Sequence, residues 1–231
     1  MPLSIEKSTI IHCGQHQPKF AYVLNGQRMP CVESFRDLGV IRTTDSSYSL
    51  HCHQTANKAA MTSNAIRRIF SSGARELLWP AFQYYVIPSL MYCSPSWNPC
   101  LKTDSNKLER VQRRFTKSIA GLHELSYDER LQSLGALSLH NLRKRTDMLT
   151  VYKILHGHIN CSPKSLGLLV TSSTTRSGHS RLVRQRAVSR IHGSLFPIRA
   201  PSMWNKLPID IINCKTFGQF KNCLSRFLES S

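Results

Sequence analysis

Acidic residues are scarce in this chain of 231 residues. Its 13 aspartates and glutamates stand against 31 lysines and arginines, which gives a formal net charge of +18. Positive charge of this size destabilises a compact chain by self-repulsion unless a polyanion offsets it. The composition therefore favours nucleic acid as the partner, and it suits RNA and DNA equally. A soluble basic protein without such a partner is the plainer alternative.

Long apolar runs are missing as well. No stretch of 18 or more apolar residues occurs, so no transmembrane helix is predicted, and the first residues lack the charged and apolar segments of a signal peptide. Positive charge is spread along the chain rather than gathered beside an apolar segment, which argues against a membrane partner. We expect an intracellular protein of the nucleus or cytoplasm that is not secreted. The sequence gives no indication of the oligomeric state.

Motifs for metal binding and catalysis are also absent. The eight cysteines include no Cys-x-x-Cys pair, and His51-Cys52-His53 lacks the second pair of ligands that a zinc site needs. We therefore predict reduced thiols, no metal and no other bound cofactor. Neither a Gly-x-Ser-x-Gly motif nor a glycine-rich phosphate loop occurs. Acidic residues occur singly apart from Asp128-Glu129, whereas two-metal phosphoryl transfer needs close carboxylates, so we expect no catalytic centre.

Hydrophobic periodicity predicts a mainly α fold. Residues 1–41 contain short β-prone runs, and the Asn25-Gly26 turn between two of them is typical of a hairpin, so a small antiparallel β-meander is expected. From Leu50 onward the apolar spacing becomes helical. Helices are predicted over 50–70, 75–91, 126–134, 139–156 and 217–228, with a capping box at Ser126 and Glu129.

The helix predicted within residues 92–122 has a buried stripe and a cationic face. Its apolar residues recur at a spacing of three and four: Leu108, Val111, Phe115, Ile119 and Leu122. Basic residues lie between them, and the only carboxylates in this stretch are Asp104 and Glu109. We predict that this helix packs on a core and presents positive charge to a negatively charged partner.

Basic clusters of this kind supply the candidate contacts to phosphate. The candidate nucleic-acid-binding residues are Arg67, Arg68, Arg110, Arg113, Arg114, Lys117, Arg143, Lys144 and Arg145. A further basic segment, 176–190, is predicted to be a flexible arm, since no carboxylate occurs between Asp147 and Asp210. Phosphate contact tolerates loose geometry, whereas base reading requires specific partners. We therefore expect binding to the backbone with little sequence preference.

Six short motifs occur in a fixed order along the chain. They are Phe35-Arg-Asp-Leu-Gly-Val40, Ser94-Pro-Ser-Trp-Asn98, Leu108-Glu-Arg-Val-Gln-Arg-Arg114, Ser126-Tyr-Asp-Glu-Arg-Leu131, Val151-Tyr-Lys-Ile-Leu155 and Trp204-Asn-Lys-Leu-Pro208. In this order they resemble the C-terminal region of non-LTR (LINE-type) retrotransposon reverse transcriptases, which are RNA-directed DNA polymerases. Each motif alone is weak, but six in order are specific, and the resemblance covers essentially the whole chain.

The resemblance implies a division into three parts. Residues 1–45 would be the end of a palm with its primer-grip hairpin, 46–157 a helical thumb-like domain, and 158–231 a basic, partly irregular tail with a C-terminal helix. Lys7 would correspond to a palm lysine that assists the leaving pyrophosphate, which makes it the one catalytic candidate. The full-length family enzyme would use Mg²⁺.

The family's catalytic aspartates should lie before Met1, so the resemblance implies a fragment that is inactive alone and binds an RNA–DNA duplex. Two other interpretations stay open. The chain could be a standalone basic nucleic-acid-binding or architectural protein, or a non-functional pseudogene product that folds poorly.

Overall fold

The computed structural model describes residue 4 and residues 8–14, 18, 20–171 and 181–229. Lys7 and residues 176–180 of the predicted basic segment lie outside the described residues. The described chain is mainly helical with short antiparallel strands near its N-terminus, which confirms the predicted fold class.

The strands form two separate hairpins rather than one meander. Strand β1 (Val23–Leu24) pairs with β2 (Gln27–Arg28), and β3 (Ser34–Asp37) pairs with β4 (Val40–Thr43). The first turn is the predicted Asn25-Gly26 pair, whose φ angles of 50° and 77° match a turn with two positive φ values. The hairpins stay apart because the chain between them pairs with Ile10 instead: Ile10 donates to the Pro30 carbonyl at 2.9 Å and accepts from the Val32 amide at 2.9 Å.

The helices follow without further strands among the described residues. They are α1 (Ser49–Ile69), α2 (Arg75–Tyr85), α3 (Ile87–Met91), α4 (Ser94–Trp97), α5 (Lys102–Lys117), α6 (Tyr127–Ser133), α7 (Leu139–Leu155), α8 (Arg190–Ser194), α9 (Phe196–Trp204), α10 (Ile209–Ile212) and α11 (Phe217–Glu229). The single helix predicted over 75–91 is divided at Val86, two residues before Pro88. Proline cannot donate the backbone hydrogen bond that would continue α2.

The first hydrophobic cluster forms around α5. Leu108, Val111 and Phe115 of the predicted stripe are buried on α5 and pack against α1, α2 and α3. Ile119 and Leu122 are buried as well, but they follow the helix, which ends at Lys117. Phe115 stacks on Phe82 with 4.3 Å between ring centroids. Trp97 is fully buried and donates from Nε1 to the Tyr92 carbonyl at 2.6 Å. The predicted burial of all five residues is therefore confirmed, whereas the predicted helix stops before Ile119 and Leu122.

A second hydrophobic cluster joins α7 to the C-terminal helices. Tyr152 stacks on Phe220 with 4.3 Å between centroids, and its hydroxyl donates to the Cys214 carbonyl at 2.8 Å. Helix α7 belongs to both clusters, because Leu139 at its start packs in the first and Val151 in the second. The two clusters are thus built on one shared helix.

The described part of the basic segment is attached to this second cluster. Leu182 is buried, and the Asn205 side chain accepts from its amide at 3.1 Å and donates to its carbonyl at 2.8 Å. The prediction of a flexible arm is therefore wrong for the residues around 182, although their backbone is irregular. A paired side-chain amide holds both backbone groups of Leu182.

All eight cysteines are free thiols. Burial raises the pKa of Cys52 to about 12, so this residue is a packed thiol rather than a nucleophile. Among the described helices, none combines the length and the apolar character needed to cross a membrane.

Candidate nucleic-acid interface

Both carboxylates of α5 point away from its exposed face. Asp104 is 2% exposed, accepts a hydrogen bond from the Ser49 hydroxyl at 2.6 Å and lies 3.5 Å from His53 Nε2. The negative charge of Asp104 is therefore directed toward the start of α1 and not toward the exposed face of α5.

Glu109 is 7% exposed and binds the first turn of α7. One carboxylate oxygen accepts from the Leu139 amide at 3.0 Å and from the Tyr127 hydroxyl at 2.5 Å, and the other accepts from the His140 amide at 3.2 Å. The first amides of a helix have no partner within the helix and carry the positive end of its dipole, so a carboxylate is well placed there. The outward face of α5 is consequently left with cations and no acid.

A groove runs between α1 and α5 along this face. It consists of two adjoining cavities of about 530 and 220 Å³, which share Ala60, Val111 and Arg114 in their walls. We call it the α1–α5 groove. Its basic residues are Arg67, Lys107, Arg110, Arg114 and Lys117, and none of the described residues that line either cavity is a carboxylate.

The basic residues of α5 in this groove share one side of the helix. Lys107, Arg110, Arg114 and Lys117 follow one another at spacings of three, four and three. With a rise of 1.5 Å per residue, the row is about 15 Å long. Arg67 faces them from α1 together with Asn64. Four of the predicted residues, Arg67, Arg110, Arg114 and Lys117, thus come together.

Two predicted residues are exposed but lie outside the groove. Arg68 lines neither cavity. Arg113 turns toward α6, where its guanidinium lies 4.8 Å from the centroid of the Tyr127 ring. The hydroxyl of the same tyrosine donates to Glu109. This cation–π contact therefore makes Arg113 part of the packing between α5 and α6.

The predicted exposure of Arg143 is wrong. Its side chain is 3% exposed and donates from Nη2 to the Ser105 hydroxyl at 2.9 Å. Burial lowers the pKa of this guanidinium below its ordinary value, while the charge of Glu109 opposes that effect. Leu139, Arg143, Asp147 and Val151 follow at intervals of four and are all buried, so Arg143 belongs to an inward face of α7.

Lys144 and Arg145 are half-buried rather than fully exposed. Arg145 donates from Nε to the Ser225 hydroxyl on α11 at 2.9 Å, and burial lowers its pKa. The predicted patch at residues 143–145 is therefore three side chains with different surroundings, and none of them lines the α1–α5 groove.

Lys107 is the groove residue that sequence reasoning missed. It precedes Arg110 by three residues, so the same spacing that joins Arg110, Arg114 and Lys117 could have identified it. Its ammonium lies against the His53 imidazole, which is itself close to Asp104.

The acidic residues present do not fit a two-metal site for Mg²⁺. In the described part of the chain no three His, Cys, Asp or Glu side chains are grouped to hold a metal ion. The one adjacent pair, Asp128-Glu129, begins α6, and Glu129 is occupied by the predicted capping box: its side chain accepts from the Ser126 amide at 2.7 Å.

Comparison with protein-family models, with curated proteins and with solved structures finds no match to this chain.

Proposed function

We propose that this protein binds the sugar–phosphate backbone of nucleic acid along the α1–α5 groove, with little sequence preference. The observation that carries the proposal is a groove whose described lining contains five basic residues and no carboxylate. The charge of the chain alone would be weaker support, because scattered cations are often only solvated. Here the acids of α5 are bound inside the molecule, and the cations share one face.

The length of the cationic row suits several consecutive phosphates. Phosphates of one strand recur every 3.4 Å along the axis of duplex DNA, so a row of about 15 Å spans about four nucleotides. Lysine and arginine supply charge and donors to phosphate oxygens without reading bases. The neighbouring amide of Asn64 can add a hydrogen bond to the same backbone.

We further propose, on the six ordered motifs, that the binding belongs to the thumb-like region of a non-LTR reverse transcriptase, where the ligand is an RNA–DNA duplex. In this proposal the chain holds the duplex. It assigns no metal-dependent step to the residues described, because their carboxylates do not fit a two-metal site.

The test is binding of a fluorescent RNA–DNA hybrid at several salt concentrations. If about four phosphates are neutralised, log Kobs should fall against log salt with a slope of about −3 to −4. The variant Arg110→Gln/Arg114→Gln should weaken binding at least tenfold at low salt and make the slope shallower by about 2, since each lost phosphate contact removes about one unit.

The matched control is Lys221→Gln/Arg226→Gln, which removes two charges from exposed positions of α11. It should retain the slope of the unmodified protein. Hybrids of unrelated sequence should bind within about threefold of one another, because phosphate contacts carry no base information. Salt-insensitive binding, or equal losses in both double variants, would contradict the groove as the binding site.

A further inference from the structure

A second basic cavity lies on the other side of α7, and it shares no lining residue with the α1–α5 groove. Its volume is about 520 Å³. Its walls come from α7, from α9 and from the extended segment before α8. The charged residues that line it are Arg143, Lys144, Asp147, Arg184, Arg186 and Arg199.

Among the described residues of these walls, the only carboxylate is already neutralised. Asp147 accepts from Arg199 Nε at 2.8 Å on one oxygen and from Arg199 Nη2 at 2.8 Å on the other. This two-point ion pair leaves the other cations of the walls without a carboxylate of their own inside the cavity. The cavity therefore carries an uncompensated positive charge.

Arg143 gives the second, independent sign of a missing anion. Arg143 is only 3% exposed, yet its Nε and Nη1 have no hydrogen-bond partner among the described residues. Its neighbour Glu109 directs its oxygens to the Tyr127 hydroxyl and two backbone amides instead. A buried guanidinium with unused donors is costly, and an anion that supplies acceptors removes that cost.

Two exposed arginines, Arg184 and Arg186, line the same cavity as the buried Arg143. Gln185 between them donates to the Gly167 carbonyl at 2.8 Å, which fixes the segment at this point. The segment is thus held in position with both arginines toward the cavity.

We propose that this cavity binds a phosphate group, with Arg184 and Arg186 at the mouth and Arg143 in the wall. Phosphate matches the site because its several oxygens accept bonds from arginine forks and its charge offsets the excess of cations. The phosphate can come from a nucleic-acid strand or from a free polyphosphate. The proposal does not depend on binding in the α1–α5 groove.

Titration of the full chain with inorganic tripolyphosphate, followed by calorimetry at constant ionic strength, tests the site. We expect saturable binding to the unmodified protein and at least a tenfold loss in Arg184→Gln/Arg186→Gln. Both residues are exposed, so this variant keeps the fold. The control Lys221→Gln/Arg226→Gln removes the same charge from exposed positions of α11 and should bind tripolyphosphate in this cavity as the unmodified protein does.

Arg143→Met gives a second measurement, because methionine fills the buried space without a charge. It should lose tripolyphosphate binding as well, with retained folding checked by circular dichroism. Absence of saturable binding to the unmodified protein, or equal affinity in the 184/186 variant and the α11 control, would overturn the proposal.

An oligonucleotide arm identifies the source of the phosphate. This arm uses Arg110→Gln/Arg114→Gln, the groove variant, because it weakens phosphate binding in the α1–α5 groove. If a single-stranded oligonucleotide displaces tripolyphosphate from this variant, the ligand is a strand phosphate. If tripolyphosphate binds and the oligonucleotide does not displace it, the ligand is a free polyphosphate. Both outcomes support the site, and neither affects the salt test of the groove.

Discussion

His51 is a buried residue that connects the second hairpin to the helical part of the chain. Its Nδ1 accepts a hydrogen bond from the Ile41 amide at 3.3 Å, and its ring lies edge-on to Trp97 with 4.7 Å between centroids. A ring nitrogen that accepts a hydrogen bond carries no proton. Burial and, to a smaller extent, the charge of Arg36 lower the pKa of His51 from 6.5.

The lowered pKa predicts that stability is lost in mild acid. Below about pH 6.5 the unfolded chain binds a proton at His51 that the folded chain refuses, so the free energy of unfolding falls as the pH falls. We expect the urea midpoint to decrease between pH 7.5 and 5.5. His51→Gln should make this decrease shallower, because its amide oxygen can accept from Ile41 but does not titrate.

His123→Gln is the control for this measurement, since the His123 side chain is 66% exposed. It should leave the pH dependence unchanged. Some dependence should remain in His51→Gln, because burial and the charges of Lys144 and Arg143 also lower the pKa of His140. A pH dependence in His51→Gln as steep as that of the unmodified protein would show that His51 does not contribute.

At the scale of the elements, Glu109 joins three helices through one carboxylate. It lies on α5, accepts from Tyr127 on α6 and binds the first amides of α7. Glu109→Gln should lower the free energy of unfolding by about 2–3 kcal/mol, since hydrogen bonds to a charged group are the stronger ones. The new amide would also present donors to the donating His140 amide.

Chemical denaturation of Glu109→Gln and of the control Glu124→Gln measures this effect. The Glu124 side chain is 88% exposed, so its substitution should leave the denaturation midpoint where it is. A Glu109→Gln protein as stable as the control would mean that α7 does not depend on the hydrogen bonds between the Glu109 carboxylate and its first amides.

Helices α5 and α7 show which features can be predicted from the sequence and which cannot. The stripe of α5 follows from spacing alone, because one side of that helix meets a core and the other meets solvent. Helix α7 packs on both clusters, so its periodicity does not separate an inner from an outer face. The predicted exposure of Arg143 failed for that reason.

The candidate site likewise contains residues whose place follows from spacing and contacts that depend on tertiary packing. Arg110, Arg114 and Lys117 could be assigned to one face from their spacing, and the structure places them in one groove. The position of Arg67 opposite them depends on how α1 packs on α5. Likewise, the two backbone amides that donate to Glu109 lie 30 and 31 residues away from it in the sequence. Contacts of this kind arise from tertiary packing, which no local pattern contains.

At the scale of the whole molecule, Arg199 connects parts that the sequence keeps far apart. Besides its two bonds to Asp147 on α7, it donates from Nη2 to the Pro95 carbonyl on α4 at 2.8 Å and from Nη1 to the Ser194 carbonyl. Helix α4 holds Trp97 in the first hydrophobic cluster, and α9 holds Trp204 in the second. One guanidinium therefore ties the two clusters together next to α7.

Breaking this connection should destabilise the protein as a whole. Arg199→Gln leaves Asp147 buried without its partner, and removing one member of a buried ion pair costs about 3–5 kcal/mol. Asp147→Asn should cost a similar amount for the same reason. The double variant Asp147→Asn/Arg199→Gln should lose clearly less than the sum of the two, because neither charge of this pair is then left buried without the other.

Urea unfolding of the four proteins, followed by both tryptophan fluorescence and circular dichroism, tests this coupling. Arg226→Gln removes an exposed arginine from α11 and should unfold at the urea concentration of the unmodified protein. Because Arg199 bridges the clusters, the two signals should coincide in the unmodified protein and separate in Arg199→Gln, as one cluster unfolds before the other. Additive losses with coincident signals in every variant would show that packing on α7 couples the clusters without this ion pair.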